Sequence, residues 1–526
     1  MLVPLVPLLL IISGSKCSDP LVKTPLGEIR GRTRTSHDGR KFAAFEGIPF
    51  AKPPIGSRRF EPPEPIDPWS GTWDASHATT CAQTPMLQPN VTAGHEDCLH
   101  LNIYVPRESP STHDRLEVMV HIHGGAFMYC SGHFYAKPDF IMDRDLVLVT
   151  FNYRLGVLGF LGTEDEVVPG NMGLKDQVMA LKWVKNNIGS FGGNPDSVTL
   201  TGFSAGGSSV HLHYFSPMSH GLFQRGVSHS GTATNFWALQ QAPLEKASRL
   251  GEALGCPIGT TKVLVDCLKE RPLGQVLSKA TMFFGYQFMP LAPFAPVVEK
   301  KGPSPFLTST PLDLLKQGKV SKVPWLVSNT AHEGLFQKNF LDNDVDNVNQ
   351  NWDSLAPIFL EFNYTVPSTL QKNVSEKIRE YYFGENQILA PEKLVKLFSD
   401  RFFLLGAETG VKLQSKINQT SIFYYLFSYP SDSKMIGHGD DAKYFFTSVM
   451  VPRPLTQNEL KMKNVMLDML VSFAKTGVPE IKGVEWKPTR DQLWYLDVGS
   501  FETKDMVLRN TSDLTGTRKF WNSLAL

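Results

Sequence analysis

Six short apolar segments, separated by helical segments, constrain the fold of this chain more than any other feature. The apolar segments cover residues 118–123, 146–153, 198–202, 323–328, 422–427 and 493–498. Helical spacing of apolar residues occurs between them, for example over residues 175–188 and 459–475. Strands that alternate with helices form parallel sheets, and burial on both faces requires strands that are apolar throughout. The sequence therefore predicts an α/β fold with a central, mostly parallel sheet that helices cover on both faces.

The length and charge of the chain limit the classes of protein that it can be. It has 526 residues and a net charge of +1 at pH 7, with charges of both signs mixed along it. Because nucleic-acid-binding proteins usually present a strongly basic surface, no nucleic-acid partner is predicted. No repeat or low-complexity linker divides the chain, and we expect residues 18–526 to form a single domain.

The N-terminal segment is typical of a secretory signal peptide. Residues 2–12 are apolar and are followed by the small residues Ser13, Gly14 and Ser15. This apolar core is too short to cross a bilayer, and residues 1–17 are predicted to be removed, with cleavage between residues 13 and 18. No later apolar segment is long enough for a membrane span, so the sequence predicts a secreted, extracellular protein.

Sequons and cysteines agree with an extracellular location. Five glycosylation sequons begin at Asn90, Asn363, Asn373, Asn418 and Asn510. Four of the six cysteines bracket two polar loops, and two disulfides are predicted: Cys81 with Cys98, and Cys256 with Cys267. Cys17 leaves with the signal peptide or lies near the N-terminus. Cys130 then stays a free thiol, which we expect to be buried and inert.

The segment TGFSAGG, residues 201–207, carries the first candidate catalytic residue. Ser204 has Gly202 two residues before it and Gly206 two residues after it, between an apolar strand and a helical segment. This is the nucleophile-elbow pattern, in which a sharp turn leaves room only for hydrogen at the two glycines and exposes the serine oxygen above the sheet. The alternative is a flexible Gly/Ser turn without catalytic function.

A serine nucleophile requires a base and an acid, and the chain supplies one candidate for each. On a sheet of this kind the order along the chain is serine, acid, histidine. Glu333 directly follows the apolar segment 323–328, and His438 is the only histidine after it. Both are predicted at the carboxyl ends of strands, where open α/β sheets place functional residues. The alternatives are a surface carboxylate for Glu333 and a turn histidine for His438.

Backbone donors for a developing oxyanion are also predicted. Gly124 and Gly125 follow the apolar segment 118–123 and can present their N–H groups together with that of Ala205, unless they form only a Gly-Gly turn. His121 and His123 could suggest a metal pair. However, residues i and i+2 of a strand share a face only at a tight loop, and no third ligand is evident. No metal and no organic cofactor are therefore predicted.

Together these residues resemble the type-B carboxylesterase and cholinesterase family of α/β-hydrolases along nearly the whole chain. The matching segments are FEGIPFAKPP at 45–54 with Arg59-Phe60, EDCLHLNIY at 96–104, HGG at 123–125, NYRLG at 152–156, GNMGLKDQ at 170–177, FGGNP at 191–195 and TGFSAGG at 201–207. Taken together these motifs are highly specific. The segments at 230–237 and 438–441 look most like those of insect esterases.

The resemblance implies an α/β-hydrolase fold and a set of functional residues. Residues 240–320 and 335–415 interrupt the alternation of strands and helices as insertions, and we expect them to roof the active-site gorge. The resemblance implies the triad Ser204, Glu333 and His438, the oxyanion hole Gly124, Gly125 and Ala205, the two disulfides above, and Ser230 as a residue that supports the triad. Phe203 and Trp237 would then border the substrate, although a packed core tryptophan is an alternative for Trp237.

Three departures from the family pattern narrow the expected activity. Phe203 stands where many relatives carry Glu or Gln, which weakens a cholinesterase or juvenile-hormone-esterase interpretation. The loop between Cys81 and Cys98 encloses no tryptophan, tyrosine or phenylalanine, so a quaternary ammonium would lack the aromatic face of a cation–π partner. Cys130 and His100 replace a usual glycine and tyrosine, and nothing in the sequence explains either.

The expected function is hydrolysis of neutral lipophilic carboxylic esters, small-molecule substrates, through an acyl-enzyme. Two alternatives remain open at this point. The first is a dedicated hormone or pheromone esterase, similar to juvenile hormone esterase. The second is a non-catalytic adhesion protein of the same fold, a class that usually lacks the serine. A monomer or weak homodimer is expected.

Overall fold

The computed structural model describes most of the chain. The described residues are 19–86, 88, 91–300, 302–384, 390–417, 420–430, 435–447, 454–490, 492–499 and 505–524. The predicted signal peptide with Cys17, and the sequons at Asn90 and Asn418, lie outside them.

The strands of the described residues form one large sheet and one small sheet. In chain order they are β1 (Leu21–Thr24), β2 (Gly27–Arg30), β3 (Arg32–Thr35), β4 (Lys41–Pro49), β5 (Thr72–Asp74), β6 (His100–Val105), β7 (Leu116–Ile122), β8 (Leu146–Phe151), β9 (Gly193–Phe203), β10 (Arg225–His229), β11 (Trp325–Thr330), β12 (Ile422–Phe427), β13 (Leu493–Val498) and β14 (Met506–Thr511). The small sheet has the order β1-β2-β5, and the large one has the order β14-β13-β12-β11-β10-β9-β7-β8-β6-β4-β3.

The centre of the large sheet is parallel and its edges are antiparallel. Strands β8, β7, β9, β10, β11, β12 and β13 pair in parallel, and β14, β6, β4 and β3 add antiparallel partners. Parallel strands end at the same edge, so the residues that follow them are brought side by side. The candidate residues of the sequence analysis follow five of these strands, β7, β9, β10, β11 and β12.

Helices cover both faces of this sheet. They are α1 (Gly156–Phe160), α2 (Met172–Asn187), α3 (Ala205–Phe215), α4 (Pro243–Ala253), α5 (Thr261–Glu270), α6 (Leu273–Ala280), α7 (Pro311–Lys316), α8 (Leu335–Leu341), α9 (Val345–Gln350), α10 (Trp352–Phe359), α11 (Ser368–Phe383), α12 (Pro391–Phe398), α13 (Leu405–Ile417), α14 (Gln457–Thr476) and α15 (Arg518–Ser523). A π-helical segment, Ser399–Leu404, joins α12 to α13. None of the described helices combines the length and the apolar character needed to cross a bilayer.

The core lies on the two faces of the sheet, as alternation along the strands requires. On β7, Val118 and Val120 belong to the larger apolar cluster and Met119 to the smaller one on the opposite face. Helix α14 covers the smaller cluster with residues such as Met466 and Phe473. Burial on both faces explains why the central strands are apolar throughout.

The predicted α/β class is confirmed, and all six predicted segments form strands. The segment predicted at 198–202 is part of the longer strand β9, and the one predicted at 323–328 is shifted to β11. Sequence patterns missed β10, which has only five residues and contains Ser228 and His229. Its polar side chains are satisfied inside the core, since Ser228 Oγ donates to Gly207 O at 2.9 Å and accepts from Trp325 Nε1 at 3.0 Å.

Two disulfides join the cysteines that the sequence analysis pairs. They link Cys81 to Cys98 and Cys256 to Cys267. Cys130 is the unpaired cysteine of the described residues; it is half-buried rather than fully buried, and burial raises the pKa of its thiol to about 12. The three described sequon asparagines, Asn363, Asn373 and Asn510, are exposed.

Candidate active site

Ser204 lies at a sharp corner between β9 and α3. Its backbone has φ 57° and ψ −122°, a conformation that non-glycine residues rarely adopt and that marks functional sites. A Cβ at Gly202 would lie 2.3 Å from Gly206 C, and one at Gly206 would lie 2.1 Å from Ile122 O. The corner therefore closes only with hydrogen at both positions, which is the crowding expected of a nucleophile elbow.

Glu333 is fully buried just after β11 and is surrounded by donors. Its Oε1 accepts from Ser230 Oγ at 2.6 Å, from Asn329 Nδ2 at 2.9 Å and from Thr330 N–H at 2.9 Å. Its Oε2 lies 2.6 Å from His438 Nδ1. Ser230 thus contacts the acid directly, where the family resemblance places it.

The charge of Glu333 follows from these contacts. Burial raises its pKa, but His438, Ser230 and Asn329 outweigh burial, and the net pKa is lowered. Glu333 is therefore a carboxylate at neutral pH and can only accept, so Nδ1–H of His438 donates to it. This hydrogen bond leaves Nε2 of His438 as the basic nitrogen.

The four side chains follow four adjacent parallel strands. Ser204 follows β9, Ser230 follows β10, Glu333 follows β11, and His438 lies on the loop after β12. Main-chain hydrogen bonds link the turn after β9 to β10 and the turn after β10 to β11. Ser204 N–H donates to His229 O, and Ser230 N–H donates to Ser328 O, both at 2.8 Å. The sheet thereby brings residues separated by more than a hundred positions to one edge.

The glycine loop after β7 lies against the serine corner. A Cβ at Gly124 would lie 2.7 Å from Phe203 O and 3.1 Å from Ser204 Cβ, so the main chain of Gly124 abuts Ser204. Among the hydrogen bonds between described residues, none is donated by the N–H of Gly124, Gly125 or Ala205. Three unused donors of this kind can stabilise negative charge on a bound oxygen.

A cavity of about 330 Å³ begins beside this loop. Its walls are mainly apolar and include Met128, Leu155, Leu277, Phe284 and Phe288. Helix α6 of the first insertion thus contributes one wall, and Met128 belongs to the loop itself, since its N–H donates to Gly125 O at 2.8 Å.

A chain of aromatic rings connects the cavity with the histidine. Ring centroids are 5.1 Å apart for Phe288 and Phe340, 4.9 Å for Phe340 and Phe336, and 5.8 Å for Phe336 and His438. Phe403, in the π-helical segment, lies 4.5 Å from His438 on another side. Both insertions therefore supply residues around the candidate site.

Phe203 and Trp237 do not border this cavity. The Phe203 ring stacks on His229 with centroids 4.3 Å apart. Trp237 is buried; its Nε1 donates to Phe402 O at 2.7 Å and its ring is 6.1 Å from Phe403. Both residues pack behind the site, and a contact with substrate stays a prediction for each.

The two histidines around β7 contact different groups. His121 Nδ1 lies 2.9 Å from Thr201 Oγ1, with its ring 4.7 Å from Phe446. His123 Nδ1 lies 2.8 Å from Gly124 O, and its ring stacks on Tyr153 at 4.4 Å. Among the described residues no group of three potential ligands could hold a metal ion.

Sequence reasoning assigned no role to Asp441, which lies three residues after His438. Asp441 is fully buried, and Tyr425 Oη is 3.5 Å from its Oδ2. Burial, with the charge of Glu333 as the next cause, raises its pKa to about 8. The one feature of the sequence that could have pointed to Asp441 is its position near His438, the only histidine that follows Glu333.

Comparisons with known proteins identify the family of this chain. The model of the carboxylesterase family matches residues 18–513. A protein named carboxylic ester hydrolase from Bombus ignitus is 42% identical, over 96% of this chain and 94% of the relative. Venom carboxylesterase-6 from Apis mellifera is 39% identical over the same shares. The crystal structure of juvenile hormone esterase from Manduca sexta, with OTFP covalently attached, has a TM-score of 0.83 at 29% identity and covers 96% of this chain and 99% of its own.

The likeness extends over nearly the whole chain in both sequence and structure, and the elements that position Ser204, Glu333 and His438 lie within the matched residues. This chain belongs to the carboxylesterase family.

Proposed function

We propose that this protein is a secreted serine carboxylesterase that hydrolyses neutral, lipophilic carboxylic esters. The observation that carries the proposal is the 2.6 Å contact between His438 Nδ1 and a buried, charged Glu333, at the sheet edge that also holds the strained corner of Ser204. A carboxylate that orients a histidine, with a serine at the same edge of the sheet, is the arrangement that serine hydrolases use.

In the proposed reaction Ser204 Oγ attacks the ester carbonyl carbon while His438 Nε2 takes the serine proton. The carbonyl electron pair moves to oxygen, where the N–H groups of Gly124, Gly125 and Ala205 stabilise the charge. The tetrahedral intermediate collapses, the C–O bond to the alcohol breaks, and the alcohol leaves with the proton from His438. Water then attacks the acyl-enzyme by the same steps and releases the acid.

Glu333 has two tasks in this scheme. It holds the His438 ring in the tautomer with Nε2 free, and it stabilises the imidazolium that forms. The donors from Ser230 and Asn329 keep Glu333 ionised although it is buried. Ser230 is accordingly proposed to support the reaction through Glu333.

The substrate class is inferred from the cavity beside the glycine loop, although Ser204 and His438 themselves are not among the residues that line it. None of the described residues that line it is charged, and its volume of about 330 Å³ is at the lower end for small-molecule sites. The loop between Cys81 and Cys98 has no tryptophan, tyrosine or phenylalanine to bind a quaternary ammonium. A neutral ester with an apolar group is the ligand that these walls favour.

Labelling with a fluorophosphonate probe, followed by peptide mapping, tests the proposal. We expect a covalent adduct on Ser204 in the wild-type protein and none in Ser204→Ala. Ser354→Ala, which changes an exposed serine on α10, is the matched control and keeps the label. A wild-type protein that folds and does not react would contradict the enzymatic proposal and favour an adhesion role.

A dedicated hormone esterase is the second candidate. The juvenile hormone esterase from Manduca sexta shares the fold of this chain closely, which favours it. Values of kcat/KM for juvenile hormone and for a panel of short-chain aryl esters separate the two candidates. A preference of about a hundredfold or more for the hormone ester would identify the narrower function.

Extracellular location and oligomeric state are also proposals. The signal peptide predicted at residues 1–17, the two disulfides and the exposed sequons at Asn363, Asn373 and Asn510 support secretion. Expression of the full chain in insect cells, with analysis of the medium and enzymatic deglycosylation, tests this. Size-exclusion chromatography with light scattering tests the expected single-domain monomer or weak homodimer.

A further inference from the structure

Two side chains engage the peptide groups of the glycine loop from the carbonyl side. Tyr153 Oη donates to His123 O at 3.0 Å. His123 Nδ1 lies 2.8 Å from Gly124 O, and because a carbonyl can only accept, this nitrogen carries the proton and donates. The peptides His123–Gly124 and Gly124–Gly125 therefore each have a dedicated side-chain donor.

Peptide planarity transmits these contacts to the opposite side of each peptide. In a trans peptide the C=O and the following N–H point in opposite directions within one plane. Fixing His123 O thus fixes the direction of the Gly124 N–H, and fixing Gly124 O fixes that of the Gly125 N–H. A hydrogen bond accepted by a carbonyl also polarises the peptide and strengthens its N–H as a donor.

The loop requires such restraints because glycine supplies few of its own. Gly125 has φ 101°, and a Cβ there would lie 2.0 Å from Tyr129 O, so another residue could not replace it. The close approach of Gly124 to Ser204 likewise excludes a side chain. Orientation of these two peptides must therefore come from neighbouring residues.

His123 and Tyr153 are well placed to hold a fixed geometry. They follow the adjacent parallel strands β7 and β8, where Ile122 pairs with Phe151. Both are buried, and their rings stack with centroids 4.4 Å apart and an angle of 19°. Burial lowers the pKa of His123 to about 4, so the ring is neutral; its Nε2 has no partner among the described residues that would compete for the ring.

We infer that His123 and Tyr153 are positioning residues that orient the N–H groups of Gly125 and Gly124 toward the oxyanion. This inference rests on the proposed esterase function. It extends that function to two residues that act through the peptide groups of the glycine loop. It assigns a role to a histidine that the sequence analysis considered only as a metal ligand. It also predicts that loss of either donor weakens binding of the transition state more than binding of the ester.

Tyr153→Phe is the most direct test, because it removes one oxygen and keeps the ring. We expect kcat to fall about tenfold with KM changed by less than about twofold, since complete loss of an oxyanion donor costs more than its misorientation. Affinity for a trifluoromethyl ketone should fall by the same factor. In that adduct Ser204 Oγ bonds to the carbonyl carbon, the carbonyl pair moves to oxygen, and the serine proton goes to His438.

Tyr214→Phe is the matched control. Tyr214 is also buried and its hydroxyl also donates to a main-chain carbonyl, that of Pro324 at 2.7 Å, but away from the glycine loop. We expect its kcat and ketone affinity to stay at wild-type values. The thermal unfolding temperatures of both variants show whether each is folded under the conditions of the kinetic assay.

His123→Phe tests the second donor, since phenylalanine preserves stacking on Tyr153 and cannot donate. We expect a loss in kcat of at least the same size, and the double variant should lose less than the product of the two single effects. The inference is overturned if both folded variants bind the ketone as tightly as the wild type. A wild-type protein that Ser204-directed fluorophosphonate does not label would instead refute the esterase proposal on which the inference depends.

Discussion

Two fully buried carboxyl groups, Glu333 and Asp441, lie at the same edge of the sheet but differ in charge at neutral pH: Glu333 is ionised and Asp441 is mainly protonated. Glu333 accepts from three donors at one oxygen and contacts His438 at the other, and its pKa is lowered. Asp441 has Tyr425 Oη at 3.5 Å and His229 Nδ1 at 3.9 Å from one oxygen. Its Oδ1 has no partner among the described residues, and its pKa is raised to about 8.

The difference teaches that donors, rather than burial, decide the charge of a carboxyl group in this site. Both groups lose water to the same extent, and loss of water raises the pKa of each. For Glu333 the charge of His438 and several hydrogen bonds to the ionised form outweigh burial, whereas the hydrogen bonds of Asp441 with its own backbone N–H and with Tyr425 do not. Once Glu333 is charged, its field further disfavours ionisation of Asp441, so the site holds one negative charge rather than two.

Parallel replacement of each carboxyl group by an amide gives the largest expected contrast. Glu333→Gln removes the charge that orients His438 and should lower kcat by roughly a thousandfold to ten-thousandfold. Asp441→Asn replaces a protonated acid by a neutral group of the same shape and should change kcat at pH 7 by less than about threefold. Steady-state kinetics of both variants measures the two effects. Equal losses in kcat would contradict the conclusion that only Glu333 is charged at neutral pH.

Removal of one donor from Glu333 should give an intermediate effect. Ser230→Ala deletes the 2.6 Å hydrogen bond to Oε1, and kcat should fall about tenfold, the factor that corresponds to one charge-assisted hydrogen bond. The pKa of Glu333 should rise, because one donor to its ionised form is lost, and titration of this carboxyl group by infrared difference spectroscopy measures the shift. Ser228→Ala, which changes a buried serine of β10 without a contact to Glu333, should leave that pKa in place.

The raised pKa of Asp441 predicts a pH-dependent cost in stability. An unfolded aspartate ionises near pH 4, whereas the folded group ionises near pH 8. Below about pH 4 Asp441 is protonated in both states, and its contribution to the free energy of unfolding is fully present. Between about pH 4 and pH 8 only the unfolded state ionises, and the free energy of unfolding falls by at most about 1.4 kcal/mol per pH unit. Asp441→Asn should raise the free energy of unfolding relative to wild type by an amount that grows from pH 5 to pH 8 and is then constant. Denaturant unfolding at several pH values checks this, and a pH-independent difference would contradict the assignment.

An exposed carboxylate should show the smallest effect. Asp266 on α5 pairs with Lys262 one helical turn away, and both side chains are more than half exposed. Asp266→Asn should leave kcat unchanged and alter the free energy of unfolding by at most about 1 kcal/mol at any pH. The same kinetic and unfolding measurements apply, and a loss comparable with that of Glu333→Gln would show that charge removal is harmful wherever it occurs.

Local sequence patterns were sufficient for much of the fold and for the choice of candidate residues. Apolar segments predicted the parallel strands because those strands are buried on both faces. They missed β10, whose serine and histidine are satisfied by partners that are remote in sequence, such as Trp325. The two glycines around Ser204 could be interpreted from sequence because their reason is local crowding at one corner.

The candidate acid and base could be chosen because chain order left one histidine after Glu333. Neither the charge of Glu333 nor that of Asp441 could be predicted in this way, since each depends on donors from other strands. The role inferred for Tyr153 was equally hidden, because its hydroxyl reaches a carbonyl thirty positions away.

The sequence by itself determined the secondary structure of the central sheet, the serine corner and the short set of residues able to act there, because these depend on side-chain type and local spacing. The tertiary structure decided which carboxyl group is charged and which way the peptides of the glycine loop point. Those properties depend on hydrogen bonds between neighbouring strands, and strands become neighbours only when the sheet has formed.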